Sequence, residues 1–287
     1  MKSAKQQAIR LLIILSFVLR GSYISAQINY GNNKAAGHYK QVRNVKLYYE
    51  IYGHGKPLLL LHGNGESIQS MYKQIDAFKN ERMVIAVDAR GHGKSSDPGE
   101  GFTYQMLADD MGILLDSLKL NKVDVFGWSD GAILALLLAR DHDKRLDKVV
   151  AFAANIYAFD EQVADPRLVR GLKRLYASLP DSSADQKRAK EILSMVFADP
   201  VIPDSSLHTI KVPVLVATAD HDGILLEHSV SIYRNIKNAQ FAVLNNASHF
   251  APWEDAQRIN TLIREFINKP FKEKPLVPKE YSFLIEE

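Results

Sequence analysis

The sequence predicts an α/β domain with a mostly parallel central sheet flanked by helices and a small helical insertion over it. Short β-branched or leucine-rich runs alternate with longer helical patterns, the rhythm of parallel strands joined by helical crossovers. The runs are apolar nearly throughout, as expected of strands covered on both faces. Residues 156–207 break the rhythm with two successive helical patterns and no strand between them.

The 287-residue chain opens with Lys2, Lys5 and Arg10, continues through the apolar stretch from Leu11 to Leu19, and reaches Ser25-Ala26 before Gln27. That layout predicts a secretory signal peptide over residues 1–26, cleaved near Ala26, and therefore export to the periplasm or beyond. Nine residues between Arg10 and Arg20 are far fewer than the roughly 20 needed to span a bilayer, so no stable membrane span is expected in the mature form. One domain is expected over 27–287. Cleavage would remove four basic residues and no acid, leaving 32 basic against 33 acidic side chains. Without net positive charge there is no electrostatic case for nucleic acid as a partner. The chain has no cysteine, which excludes disulfides, thiolate metal sites and acylation of a lipoprotein cysteine.

Strands are predicted over residues 45–52, 58–61, 84–87, 123–126, 148–153, 214–218 and 240–244. Helices are predicted over 67–78, 103–118, 132–141, 226–236 and 252–267. Residues 132–139 are apolar on every side and should be buried. Within the insertion, Leu168, Leu172, Leu175 and Leu179 share one helical face, Ile192, Leu193, Val196 and Phe197 another, and Pro180 to Ser183 separates them. Its basic residues are interleaved with apolar ones and read as a solvated face. The tail over 268–287 carries Pro270, Pro275 and Pro278 and should follow an extended path.

Gly127-Trp128-Ser129-Asp130-Gly131 lies where a predicted strand ends and the buried helix begins, which is the context a G-x-S-x-G nucleophile elbow requires. A serine there is lifted above the sheet on a strained turn, at a cost of roughly 1 to 3 kcal/mol. Its hydroxyl needs a base, and the base needs an orienting acid. His249 lies in Asn245-Asn246-Ala247-Ser248-His249-Phe250, read as a loop after the last strand. Asp220 and Asp222 both follow the strand at 214–218. The order Ser, Asp, His agrees with that elbow.

Residues 47–267 resemble the α/β-hydrolase superfamily, and its esterase and lactonase-type members with a helical cap. Leu61-His62-Gly63-Asn64 resembles the family's oxyanion loop, and the run from Asp88 to Ser95 resembles its Gly-rich turn. Val212 to Val216 followed by Ala219-Asp220-His221-Asp222 resembles the segment that delivers the acid, with Ala219 where glycine is usual. The resemblance implies an α/β-hydrolase fold with a cap over about 156–207 and a triad of Ser129, Asp222 and His249, with Asp220 as the competing acid. It implies oxyanion donors from the N–H groups of Asn64 and Asp130, with Gly65 as the alternative to Asn64. The Asn64 side chain would also face the pocket.

Trp128, Tyr157, Phe159 and Trp253 are the expected apolar walls of the substrate pocket. His62 and His92 are expected to be hydrogen-bonded framework residues, and His221 to belong to its turn. No metal-ligand spacing appears among the nine histidines, so neither metal nor cofactor is expected. The expected activity is hydrolysis of a small-molecule ester or similar acyl bond through an acyl-enzyme. Carbon-carbon bond hydrolysis, proline aminopeptidase action, perhydrolysis and ligand sensing without turnover are compatible with the same residues.

Overall fold

The computed structural model describes residues 29–97, 99 and 101–272. The expected signal peptide and most of the expected tail, from 273 on, lie outside the described residues.

Eight strands form one sheet among the described residues: β1 Gly37–Val42, β2 Val45–Tyr52, β3 Pro57–Leu61, β4 Met83–Val87, β5 Val123–Trp128, β6 Leu146–Phe152, β7 Val214–His221 and β8 Ala239–Ser248. Their order is β1-β2-β4-β3-β5-β6-β7-β8. Strand β2 runs antiparallel to both neighbours, and every pairing from β4 through β8 is parallel. β1 is absent from the sequence-based expectation because its run GHYKQV is polar. It is an edge strand in which only Val42 is fully buried, so it carries no apolar signature.

The helices are α1 Tyr72–Phe78, entered through a 3-10 turn at Ile68–Met71, α2 Tyr104–Ser117, α3 Asp130–Asp141, α4 Pro166–Ser178, α5 Ala184–Ala198, α6 Asp204–Leu207, α7 Leu226–Arg234, α8 Ala251–Glu254 and α9 Ala256–Asn268. The predicted helix over 252–267 is two helices, because Asp255 at φ −134° and ψ 45° leaves the helical region. Side chains alternate through the sheet. Leu59, Leu61, Val123 and Val125 join the core beneath α2, α3 and α7, whereas Leu58, Leu60, Phe126 and Trp128 join the opposite core beneath α1 and α9. Residues 132–139 of α3 are all buried, as their uniformly apolar character predicts.

The chain leaves β6 at Phe152 and re-enters the sheet at Val214, with α4, α5 and α6 between. α4 begins with Pro166 behind an Asp165 cap, and α5 begins with a capping box of Ser183 and Gln186. The neck of this excursion is stitched by a bridge between Tyr157 and Val201 and by the Ile202 N–H donating to the Ile156 carbonyl at 2.8 Å. Arg167, Arg170, Arg188 and Lys190 pair with Asp165, Glu161, Asp185 and Asp181 on the outer surface, in keeping with a solvated face.

Candidate active site

Ser129 lies between the last residue of β5 and the first of α3, at φ 57° and ψ −120°. Positive φ at a residue with a side chain is a strained state that only a crowded surround can hold. Here the surround is glycine on both sides. A Cβ on Gly127 would lie 2.0 Å from the Gly131 carbonyl oxygen, and one on Gly131 would lie 2.1 Å from that of Leu61. The Ser129 N–H is held by the Phe152 carbonyl at 2.9 Å, tying the turn to β6.

The imidazole of His249 is hydrogen-bonded on both sides. Nε2 is 3.0 Å from Ser129 Oγ, and Nδ1 is 2.8 Å from Asp222 Oδ1. Burial opposes protonation of this ring, but the Asp222 carboxylate, by charge and by hydrogen bond, and Asp130 more weakly, raise its pKa above the ordinary histidine value. The Asp222 side chain is wholly buried, while that of His249 keeps 24% of its surface open. Such a line places a proton acceptor against the serine hydroxyl and a fixed anion behind the acceptor, the arrangement that makes a hydroxyl nucleophilic.

The two candidate acids separate by their partners. Asp220 is 37% exposed and accepts from the Asn246 N–H at 2.8 Å, the Ala247 N–H at 3.1 Å and the His221 ring. These contacts, the His221 ring foremost, hold its carboxyl well below the usual range. They pin the far end of β8, which extends through Ser248 and so includes residues read from sequence as a loop. Asp222→Asn is expected to lower kcat by about 10⁴-fold. Asp220→Asn is expected to lower the melting temperature and keep kcat near the wild-type value. Kinetics and thermal melts of the two variants check this, and equal losses of kcat would remove the distinction.

On the oxyanion side, the loop after β3 reaches the nucleophile: a Cβ on Gly63 would be 3.4 Å from Ser129 Cβ. The Asp130 N–H opens α3, where the first N–H groups have no intrahelical acceptor. The Gly65 N–H is directed to His92 Nε2 at 3.3 Å, which removes it as the alternative donor. One expectation is corrected. The Asn64 amide nitrogen donates to Asp130 Oδ2 and to the Ile192 carbonyl of α5, both at 2.9 Å, so both its hydrogens are engaged and it braces the loop instead of facing substrate. Burial pushes the Asp130 carboxyl up to about 6, against the hydrogen bond from Asn64 and the charge of His249.

A second correction concerns Trp128, one of the four expected pocket walls. Trp128 is only 2% exposed, and its indole N–H donates to the His249 carbonyl at 2.9 Å. As the residue before the elbow it points to the opposite sheet face and supports His249 from below. Trp253 donates to the Ser70 carbonyl at 2.7 Å and packs its ring edge-on against Trp128 at 4.7 Å. The Tyr157 hydroxyl donates to Asp204 Oδ1 at 3.1 Å, anchoring it to α6, and Phe159 is half-buried with its N–H on the Val196 carbonyl. Sequence reasoning missed Lys73 and Gln74 of α1, which donate to the carbonyls of Trp253 and Pro252 and fix the segment after His249. No motif marks them, because their partners are 180 and 178 residues away.

A family profile described as alpha/beta hydrolase fold matches residues 56–190. The chain is 28% identical over 268 residues to the AB hydrolase superfamily protein YisY of Bacillus subtilis (strain 168), covering 81% of this chain and 99% of that protein. It is 25% identical over 257 residues to the serine hydrolase BPHL of Homo sapiens, covering 79% and 84%. Among solved structures, the enol-lactonase from Burkholderia xenovorans LB400 superposes with a TM-score of 0.68 at 23% identity, over 81% of this chain and 100% of that one. The elbow, the sheet order and these relatives agree: the chain belongs to the α/β-hydrolase superfamily.

Proposed function

We propose that the chain is a serine hydrolase that cleaves a carboxylic ester or a similar acyl bond of a small molecule. The observation that carries this reading is the unbroken hydrogen-bonded line from Asp222 through His249 to Ser129. Ser129 Oγ bonds to the substrate carbonyl carbon while its proton passes to His249 Nε2. Asp222 stabilises the imidazolium that results. The carbonyl oxygen, now anionic, is met by the N–H groups of Asn64 and Asp130, and loss of one such donor would cost about 3 to 4 kcal/mol. The alkoxide leaves with the proton from Nε2, and water then attacks the acyl-enzyme by the same route, returning the serine. Relatives named as a serine hydrolase and as an enol-lactonase are in keeping with acyl chemistry of this kind.

The test is labelling by a fluorophosphonate followed by peptide mass mapping, then hydrolysis of activated esters of graded acyl length. The expected adduct is on Ser129, with multiple turnovers of at least one short ester. Absence of both adduct and turnover would reject the reading.

The base must be neutral to act, and its pKa is raised by Asp222. The acid limb of kcat/KM is therefore expected above the ordinary histidine value of about 6.5, with activity rising as pH rises through it. In Asp222→Asn the residual activity should show that limb displaced to lower pH, because the raising charge is gone. A pH profile of both proteins checks the sign.

A further inference from the structure

His62 and His92 lie outside the proton-transfer line, yet they are buried, with ring centroids 5.1 Å apart beneath the oxyanion-side loop. Their tautomers follow from their partners. Nδ1 of His92 is 2.9 Å from the Arg90 carbonyl, which can only accept, so the proton is on Nδ1 and Nε2 carries a lone pair. That lone pair meets the Gly65 N–H, which can only donate. His62 repeats the logic in the opposite direction: Nδ1 donates to the Gly63 carbonyl at 2.8 Å, and Nε2 accepts from the Ala89 N–H at 3.1 Å. The ring on the loop holds the turn after β4, and the ring on the turn holds the loop. Burial keeps both rings neutral, lowering His92 to about 4 and His62 to about 3. On His92 the Arg90 carbonyl opposes this and the Arg188 charge from α5 reinforces it.

The consequence falls on the donors. Residues 63 to 65 offer successive N–H groups on the loop that meets Ser129 through Gly63, and an oxyanion needs one of them held in a fixed place. We propose that His92, with His62 as its reciprocal partner, is a positioning residue for the oxyanion hole: by accepting the Gly65 N–H it draws that group away from Ser129 and leaves the Asn64 N–H as the loop's donor. The assignment rests on the serine-hydrolase reading for its catalytic meaning, while the latch itself is a property of the fold. A glutamine can imitate it, since its Oε1 accepts where Nε2 did and its amide donates toward Arg90. A leucine cannot.

Two measurements test it. Long-range proton-nitrogen spectra of the wild-type protein at pH 7 should show both rings as Nδ1–H tautomers, the less common form in water. His92→Leu should lower kcat for a short neutral ester by about 10- to 100-fold with KM little changed, as expected when a transition-state donor is misplaced, and His92→Gln should recover most of the loss. An Nε2–H tautomer at His92, a leucine variant with wild-type kcat, or a glutamine variant as slow as the leucine one would each overturn the proposal. If His92→Leu does not fold, the tautomer and the glutamine variant still decide. Nδ1–H rings in a wild-type protein that shows no Ser129-dependent turnover would support the latch and reject the hydrolytic reading instead.

Discussion

Ser129→Ala is expected to lower kcat by about 10⁴- to 10⁶-fold and to abolish fluorophosphonate labelling, with the fold intact. The size of the loss follows from how the site is divided. Oxyanion donors and substrate contacts survive the substitution, so a residual rate above that of water is retained. The atom that forms the covalent bond does not survive. Steady-state kinetics on a preparation free of contaminating esterase measure the effect, and a variant within tenfold of the wild type would exclude Ser129 as the nucleophile. Ser129→Gly should be equally inactive and also more stable than the wild type by about 1 to 3 kcal/mol, because glycine occupies φ 57° without the strain a Cβ brings. Opposite movements of activity and stability at one position would identify the elbow as strain held for function. Alanine keeps the Cβ and should keep the strain, so the difference between the two variants isolates it.

The sequence made the three members of the hydrogen-bonded line, Ser129, His249 and Asp222, legible and left their supports hidden, for a physical reason. An elbow is local: five consecutive residues carry both its backbone demand and its nucleophile, and an apolar helix directly after it places the turn in the core. The buried strands were equally readable, because two-sided burial writes itself as an uninterrupted apolar run. The polar edge strand β1 has no such signature. Asp220 and Asp222 differ by two positions, which in an extended chain puts both on one face, so spacing could not choose between them. The choice became visible only in the partners: His249 and the Ile224 N–H for Asp222, the backbone of Asn246 and Ala247 for Asp220. Trp128 and Asn64 were misread for the same reason. A side chain beside a nucleophile in sequence is not beside substrate in space when the strand turns it to the other face, or when a helix 128 residues away supplies its acceptor.

Gly131→Ala is expected to destabilise the fold by more than about 3 kcal/mol, lowering the melting temperature by at least roughly 6 °C in a domain of this size. The new Cβ would sit 2.1 Å from the Leu61 carbonyl oxygen and 2.8 Å from that of His62, and neither is the movable end of a side chain. Both belong to backbone that is already committed. Leu61 is held between β4 and β5, and the loop after it must stay against Ser129. Relief can come only by pushing α3 away from the sheet, which would lengthen the Ser129 to His249 contact and open the core around Ala132 and Ala135. Activity should therefore fall together with stability, in contrast to Ser129→Gly. Gly171→Ala supplies the control. That glycine lies within α4, a Cβ there meets nothing within 4 Å, and alanine should stabilise the helix by about 0.5 to 1 kcal/mol. Urea unfolding of the two variants separates the explanations: a close approach at the elbow requires opposite signs, and a destabilised Gly171→Ala would mean that the loss at Gly131 is not a matter of space.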